Sequence, residues 1–140
     1  MLRPGPEPTP SGASRRLRDE MLRFGLVGVV GFVVNAGLVE AFAAFIGPAW
    51  AQAIAFPAAV TTTWWLNRRY TFAASRYHWR HEWLRYAGAN MLGWIANNGV
   101  YFLLILNVAF IWRHASIAVA AGSLAGMAFN FAASKWLVFR

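Results

Sequence analysis

The 140-residue chain is 59% hydrophobic and 16% aromatic, and only 13% of its residues are charged, about half the charged share of an ordinary soluble domain. Thirteen Lys and Arg against five acids give a net charge of +8. These bases flank long apolar blocks, a placement that membrane topology and anionic headgroups favour over nucleic acid. The chain has no cysteine, which excludes disulfides, thiolate metal sites and a cysteine nucleophile.

Residues 1–14 hold four of the six prolines, with Gly, Ser and Thr. That composition cannot bury apolar surface and predicts a disordered tail. No short apolar region follows it, so it does not read as a signal peptide. In residues 15–24, Leu17, Met21 and Phe24 share one helical face among arginines, the pattern of a short interfacial helix leading into a bilayer.

The first predicted span covers about residues 24–46, long enough to cross roughly 30 Å of hydrocarbon with some tilt. Gly47-Pro48 makes a turn. The second span covers about 49–66, with Pro57 expected to kink it. Residues 67–85 form the only sizeable polar loop, with five arginines, His78 and His81. The third span covers about 86–111, Arg113 and His114 mark a short turn, and the fourth span covers about 116–133. Counting Lys and Arg in the loops places both termini and the middle loop in the cytoplasm. The fold class is therefore an all-α membrane protein: four transmembrane helices arranged as two hairpins.

The hairpins read as one unit written twice. Residues 18–39 align without gaps on 80–101, with Arg18/Arg80, Glu20/Glu82, Leu22/Leu84, Arg23/Arg85, Gly31/Gly93, Asn35/Asn97 and Gly37/Gly99 identical. Shared apolar composition does not easily match Arg, Glu, Asn and Gly. At the other end, Asn67-Arg68 aligns with Ser134-Lys135, and Phe72 with Phe139. The repeats span about 18–72 and 80–139 within a membrane domain of residues 15–140. Both copies enter the membrane in the same direction, a parallel repeat about an axis along the membrane normal.

Polar residues within spans are costly and are functional candidates by default. Asn35 and Asn97 lie 12 residues beyond Arg23 and Arg85, about 18 Å into the bilayer at 1.5 Å per residue. Two readings are open: interhelical hydrogen bonds that hold the bundle, or a polar path helped by Asn98, Thr61, Thr62, Thr63 and Asn130. Gly25, Gly28 and Gly31, and Gly122 with Gly126, offer smooth faces for close helix packing. Glu40 is the one acid within a span, about 25 Å above Arg23. It is open as a solvated rim residue, a cation or proton site, or a partner of Arg113. Arg23 and Arg85 are either bidentate phosphate ligands or topology and lipid anchors, and Arg68 and Lys135 belong to the same ring of charge. Trp64, Trp65, Trp83, Trp94 and Trp136 suit an interfacial belt. No catalytic constellation, nucleotide loop or metal cluster is legible, so neither an enzyme nor a cofactor is expected.

The segments RFGLVGVVGFVVNAGLV, WWLNRRYTF, RYAGANMLGWIANNGVY and FNFAASKWLVF, in that order and spacing, resemble the GtrA-like family over residues 22–139. The best single motif is Asn67-Arg68-x-Tyr70-x-Phe72. The second copy departs from it, with Ser134-Lys135 in place of Asn-Arg and Leu137 where an aromatic is expected. The resemblance implies a small four-span protein of the bacterial inner membrane that flips a polyprenyl-phosphate-linked sugar for cell-surface polysaccharide. Arg23, Arg85, Arg68 and Lys135 would take the phosphate, and Asn35, Asn97, Asn98, Asn67 and Asn130 the sugar hydroxyls. Expected partners are this lipid, bulk membrane lipids, a membrane glycosyltransferase and further copies of the chain. The rival readings are a non-transporting scaffold for the glycosyltransferase and a small proton-coupled cation antiporter using Glu40.

Overall fold

A computed structural model describes residues 12–73, 75–112 and 115–139 of the chain, and these are helical with no strand among them. Helix α1 runs over Gly12–Ile46 and α2 over Pro48–Leu66. The turn between them is a single residue, Gly47 at φ 82°, a left-handed conformation that glycine adopts at no steric cost, and Pro48 supplies the fixed φ suited to a helix start. α3 spans Trp79–Asn107, α4 is a single turn over Ala109–Trp112, and α5 spans Ala115–Ala133.

Several boundaries differ from the sequence expectation. The described part of α1 begins at Gly12, within the stretch expected to be disordered, and the last proline of the tail, whose ring would oppose a helix, is Pro10. Residues 1–11 lie outside the described residues. The interfacial helix and the first span are one continuous helix of 35 residues. The polar loop is much shorter than 67–85. α2 continues through a π-helical turn over Asn67–Thr71, and α3 starts at Trp79, capped by the His78 ring, which accepts from the Arg80 N–H at 3.4 Å. The third span breaks at Val108, which is extended. The turn expected at Arg113 and His114 lies outside the described residues.

α1, α3 and residues 117–138 are each long and apolar enough to cross a membrane. α2 has 19 residues, about 28 Å at 1.5 Å per residue, but it is less apolar because it carries Gln52, Pro57, three threonines and three tryptophans. Gln52 and Thr63 are turned into the bundle, where they line a cavity. Outward faces are strongly apolar: Leu26, Val33, Phe45, Leu103 and Leu106 are all more than 60% exposed. A surface of that kind is suited to lipid and is not tolerated in water.

The tightest packing is within the pairs α1–α2 and α3–α5, the two expected hairpins. α2–α3 and α1–α5 form lighter seams between them. The repeat is visible in detail. α5 also ends in a π-helical turn, Ser134–Val138, with the Phe139 N–H bonded to the Ser134 carbonyl at 2.9 Å, as the Phe72 N–H is to Asn67 at 2.8 Å. A Cβ on Gly31 would overlap the Thr63 methyl, and a Cβ on Gly93 would overlap the Asn130 amide. Thr63 and Asn130 are themselves the aligned positions of the two hairpins.

Candidate functional site

The basic end of the bundle is closed by two ion pairs that cross between hairpins. Each joins the acid at the start of one repeat to the base at the end of the other. Glu82 takes Arg68 at 2.9 Å, and Glu20 takes Lys135. Exchanging the two repeats converts one pair into the other, so the symmetry read in the sequence is realised as a pair of equivalent ties. Arg68 and Lys135 are therefore not free cations of a charged ring.

The ties differ in strength. The Glu82 carboxylate is fully buried and receives the Trp64 indole N–H at 2.8 Å, the Arg68 guanidinium, the Ser75 backbone N–H at 3.1 Å and the Ser75 hydroxyl. Every oxygen is satisfied, the condition under which a buried charge is tolerated. Among the described residues, Glu20 receives Lys135 and Arg16 of its own helix, the latter at 3.1 Å. Trp64 and Trp83 are thus not belt residues alone, because the Trp83 indole donates to Thr61 at 3.1 Å.

Above the ties sits an aromatic cluster. Phe72 and Phe139, the last residues of the two repeats, stack at 5.1 Å and 20°. Phe24 lies edge-on to Phe131 at 5.5 Å, and Tyr86 lies against Phe139 at 6.0 Å. The Tyr86 hydroxyl accepts from Asn67 Nδ2 at 2.8 Å.

Two adjoining cavities run up from this cluster between the hairpins. The outer one, about 590 Å³, is lined by Gly25, Gly28 and Phe32 of α1, Asn90, Gly93, Trp94 and Asn97 of α3, and Gly126 and Asn130 of α5. The inner one, about 320 Å³, is lined by Asn35, Gln52, Thr63, Asn67, Tyr86, Asn90 and Asn130 with apolar neighbours. No charged side chain lines either. The walls are rich in amides, and the buried Oδ1 atoms of Asn67 and Asn130 have no hydrogen-bond partner. Such acceptors in a low-dielectric wall favour a ligand that brings hydroxyl donors.

The expected site residues divide accordingly. Asn35, Asn97, Asn67 and Asn130 all line the cavities, and Asn35 also exchanges two hydrogen bonds with Gln52 at 3.3 and 3.4 Å. Asn97 packs against Gly122 and Gly126 of α5 where it borders the outer cavity. Asn67 is 1% exposed and faces inward, not toward a headgroup layer. Asn98 is turned away, its amide bonded to the Trp94 carbonyl of its own helix at 2.8 Å. Thr61 and Thr62 likewise return to carbonyls one turn back, at 2.7 and 2.9 Å. Gly25 and Gly28 do not pack against a helix: nothing lies within 4 Å of a Cβ at either, and both face the outer cavity. Arg23 and Arg85 are exposed and are not brought together. Arg23 donates to the Tyr70 carbonyl at 3.1 Å, and the Arg85 guanidinium sits 4.3 Å from the Tyr77 ring centroid. Glu40 is exposed, lines neither cavity and makes no ion pair among the described residues. Arg113, its suggested partner, lies outside the described residues.

Gln52, Tyr86, Glu20 and Glu82 were not singled out as site residues. The signal was present for the two acids: they match across the repeat on an otherwise basic membrane edge.

A family model described as the GtrA/DPMS transmembrane domain matches residues 23–139. A comparison with curated proteins returned no match. The matched segment contains both hairpins, both π-helical ends and the whole lining of the two cavities.

Proposed function

The chain belongs to the family of the GtrA/DPMS transmembrane domain, and on that footing we propose that it flips a polyprenyl-phosphate-linked sugar across the bacterial cytoplasmic membrane for cell-surface polysaccharide. The observation that carries this reading is the amide-lined cavity between two hairpins that otherwise face lipid. A sugar crossing hydrocarbon must exchange its water for hydrogen bonds of comparable worth, and Asn35, Gln52, Asn67, Asn90, Asn97 and Asn130 provide them. The lipid tail stays outside, against the exposed apolar faces.

In this reading α2 is a fourth span. The polar residues that lower its apolarity face the cavity, not lipid. The basic end lies in the cytoplasm, as the distribution of Lys and Arg requires, and the phosphate first meets the chain there. The sequence carries no nucleotide-binding loop, so a gradient or consumption of the product gives the process its direction. A membrane glycosyltransferase supplies or uses the lipid-linked sugar, and the chain works as a transporter rather than as an enzyme.

Reconstitution into proteoliposomes with a labelled polyprenyl-phosphate sugar tests the proposal. Flipping should accelerate in proportion to the protein incorporated. A rate equal to that of empty vesicles would sink the flippase and leave a scaffold. The combined substitution Arg23→Ala and Arg85→Ala should leave expression unchanged and weaken binding of the lipid phosphate about tenfold, the worth of one charge-assisted hydrogen bond. Unchanged binding would reduce these arginines to topology and anchoring.

A further inference from the structure

The two seams between the hairpins are related by the repeat, yet only one is built to stay closed. On the α2–α3 seam, the Glu82–Arg68 pair is reinforced by Trp64 to Glu82, Asn67 to Tyr86 and Trp83 to Thr61. On the α1–α5 seam, each of these reinforcing groups has lost its partner chemistry. By the alignment, Phe131 stands for Trp64, Phe24 for Tyr86, Met21 for Trp83, and Ala128 for Thr61. Ser134 stands for Asn67, and its buried hydroxyl has no hydrogen-bond partner. What remains is the Glu20–Lys135 pair and ring contacts alone, Phe24 edge-on to Phe131 with Phe72 against both.

The outer cavity adjoins this seam, lined by Phe24, Gly25 and Gly28 of α1 and Ser123, Gly126 and Met127 of α5. At the Glu20 end of the ion pair a separate recess of about 430 Å³, between α1 and the π-helical turn that follows α2, is lined by Arg15, Arg16, Asp19, Glu20, Arg23 and Thr71. Thr71 is 7% exposed, and its hydroxyl has no hydrogen-bond partner. Three guanidinium groups beside an unsatisfied buried hydroxyl suit a phosphate, which accepts from both.

We propose that the α1–α5 seam is the lateral portal for the lipid, with the Arg15–Arg16–Arg23–Thr71 recess capturing its phosphate and the Glu20–Lys135 pair acting as the latch. The phosphate draws Arg16 and Lys135 away from Glu20, Phe24 and Phe131 part, and the sugar enters the outer cavity while the tail remains in the bilayer between α1 and α5. The inference deepens the flippase reading and rests on it for the identity of the lipid. The portal itself is tested through binding as well as transport.

The probe is polyprenyl phosphate without sugar, bound to the detergent-solubilised protein. Glu20→Gln removes the carboxylate that competes for Lys135 and Arg16 and should tighten binding roughly three- to tenfold. Arg15→Ala with Arg16→Ala should weaken it by a similar factor. An ion pair that served only the fold would lower the melting temperature of Glu20→Gln and leave affinity unchanged, which would overturn the latch. Equal displacement of the probe by phosphatidylglycerol would mark the recess as an ordinary lipid-anchoring patch and also overturn the proposal.

Because the chain has no cysteine, the seams can be locked one at a time with a bifunctional methanethiosulfonate cross-linker, which spans cysteine pairs too far apart for a direct disulfide. Cross-linked Phe24→Cys/Phe131→Cys should abolish flipping and recover with reductant, whereas Thr61→Cys/Trp83→Cys across the α2–α3 seam should flip in both states. Full transport with the α1–α5 seam locked would overturn the portal. Protein that never flips, yet binds polyprenyl phosphate more tightly as Glu20→Gln, would retain the portal as a lipid site and overturn the flippase reading alone.

Discussion

Glu82→Ala is expected to be the most damaging single substitution at the basic end of the bundle, costing about 3–5 kcal/mol. The carboxylate is fully buried and is the shared acceptor for Trp64, Arg68 and two groups of Ser75. Removing it leaves a partly buried guanidinium facing unpaired donors, and the cost is the loss of their only good acceptor. Glu82→Gln keeps one acceptor oxygen but turns an amide N–H toward a donor, and should cost about 1–3 kcal/mol. Its symmetry mate, Glu20→Ala, should cost less, about 1–2 kcal/mol, because that carboxylate keeps some contact with solvent and holds fewer partners. Thermal unfolding in detergent, followed by the fluorescence of the eight tryptophans, orders the three variants. If Glu82→Ala and Glu20→Ala melted together, the asymmetry between the seams would have no energetic content.

That asymmetry marks where the sequence was legible and where it was not. Matching Arg, Glu, Asn and Gly across 62 residues pointed to a duplication, because polar identities within apolar segments are not a product of composition. The hairpins and the placing of Asn35, Asn97 and Asn130 along one path went with it, and Gly47-Pro48 marked the first turn independently; the inward position of Asn67 was not legible, because a residue beside Arg68 at the membrane edge reads as a headgroup contact. Nor were the partners of the charges. Placing Arg68 and Lys135 on a ring treats the membrane edge as a surface, and only the three-dimensional crossing of the repeats shows that each base meets the acid of the other hairpin. Helix limits failed for a related reason. Polar residues such as Asn67–Thr71 and Trp79–Arg85 read as loop by composition, yet tertiary contacts hold them helical: Asn67 on Tyr86, Arg68 on Glu82. Composition likewise could not separate glycines that touch a helix from glycines that face a cavity.

Those glycines provide the sharpest test of the transport path. Gly28 lies on the wall of both cavities with nothing within 4 Å of where a Cβ would stand. Gly28→Phe should therefore fold, and the gain in helix propensity, about 0.5 kcal/mol over glycine, favours it. The ring would occupy the space between α1 and α5 and should reduce flipping about a hundredfold, as expected when a bulky group excludes the sugar from its amides. Gly93 is the opposite case. Its Cβ would fall on the Asn130 amide, and the neighbouring Gly126 already brings α5 so close that a Cβ there would lie 3.0 Å from the Gly93 carbonyl. The backbone cannot yield at that crossing, so Gly93→Leu should separate α3 from α5 and fail to give monodisperse protein. Size-exclusion profiles and proteoliposome flipping on both variants distinguish the two roles. A well-folded Gly28→Phe that flips at the wild-type rate would mean that the sugar does not pass between the hairpins, and the cavity would lose its claim to be the path.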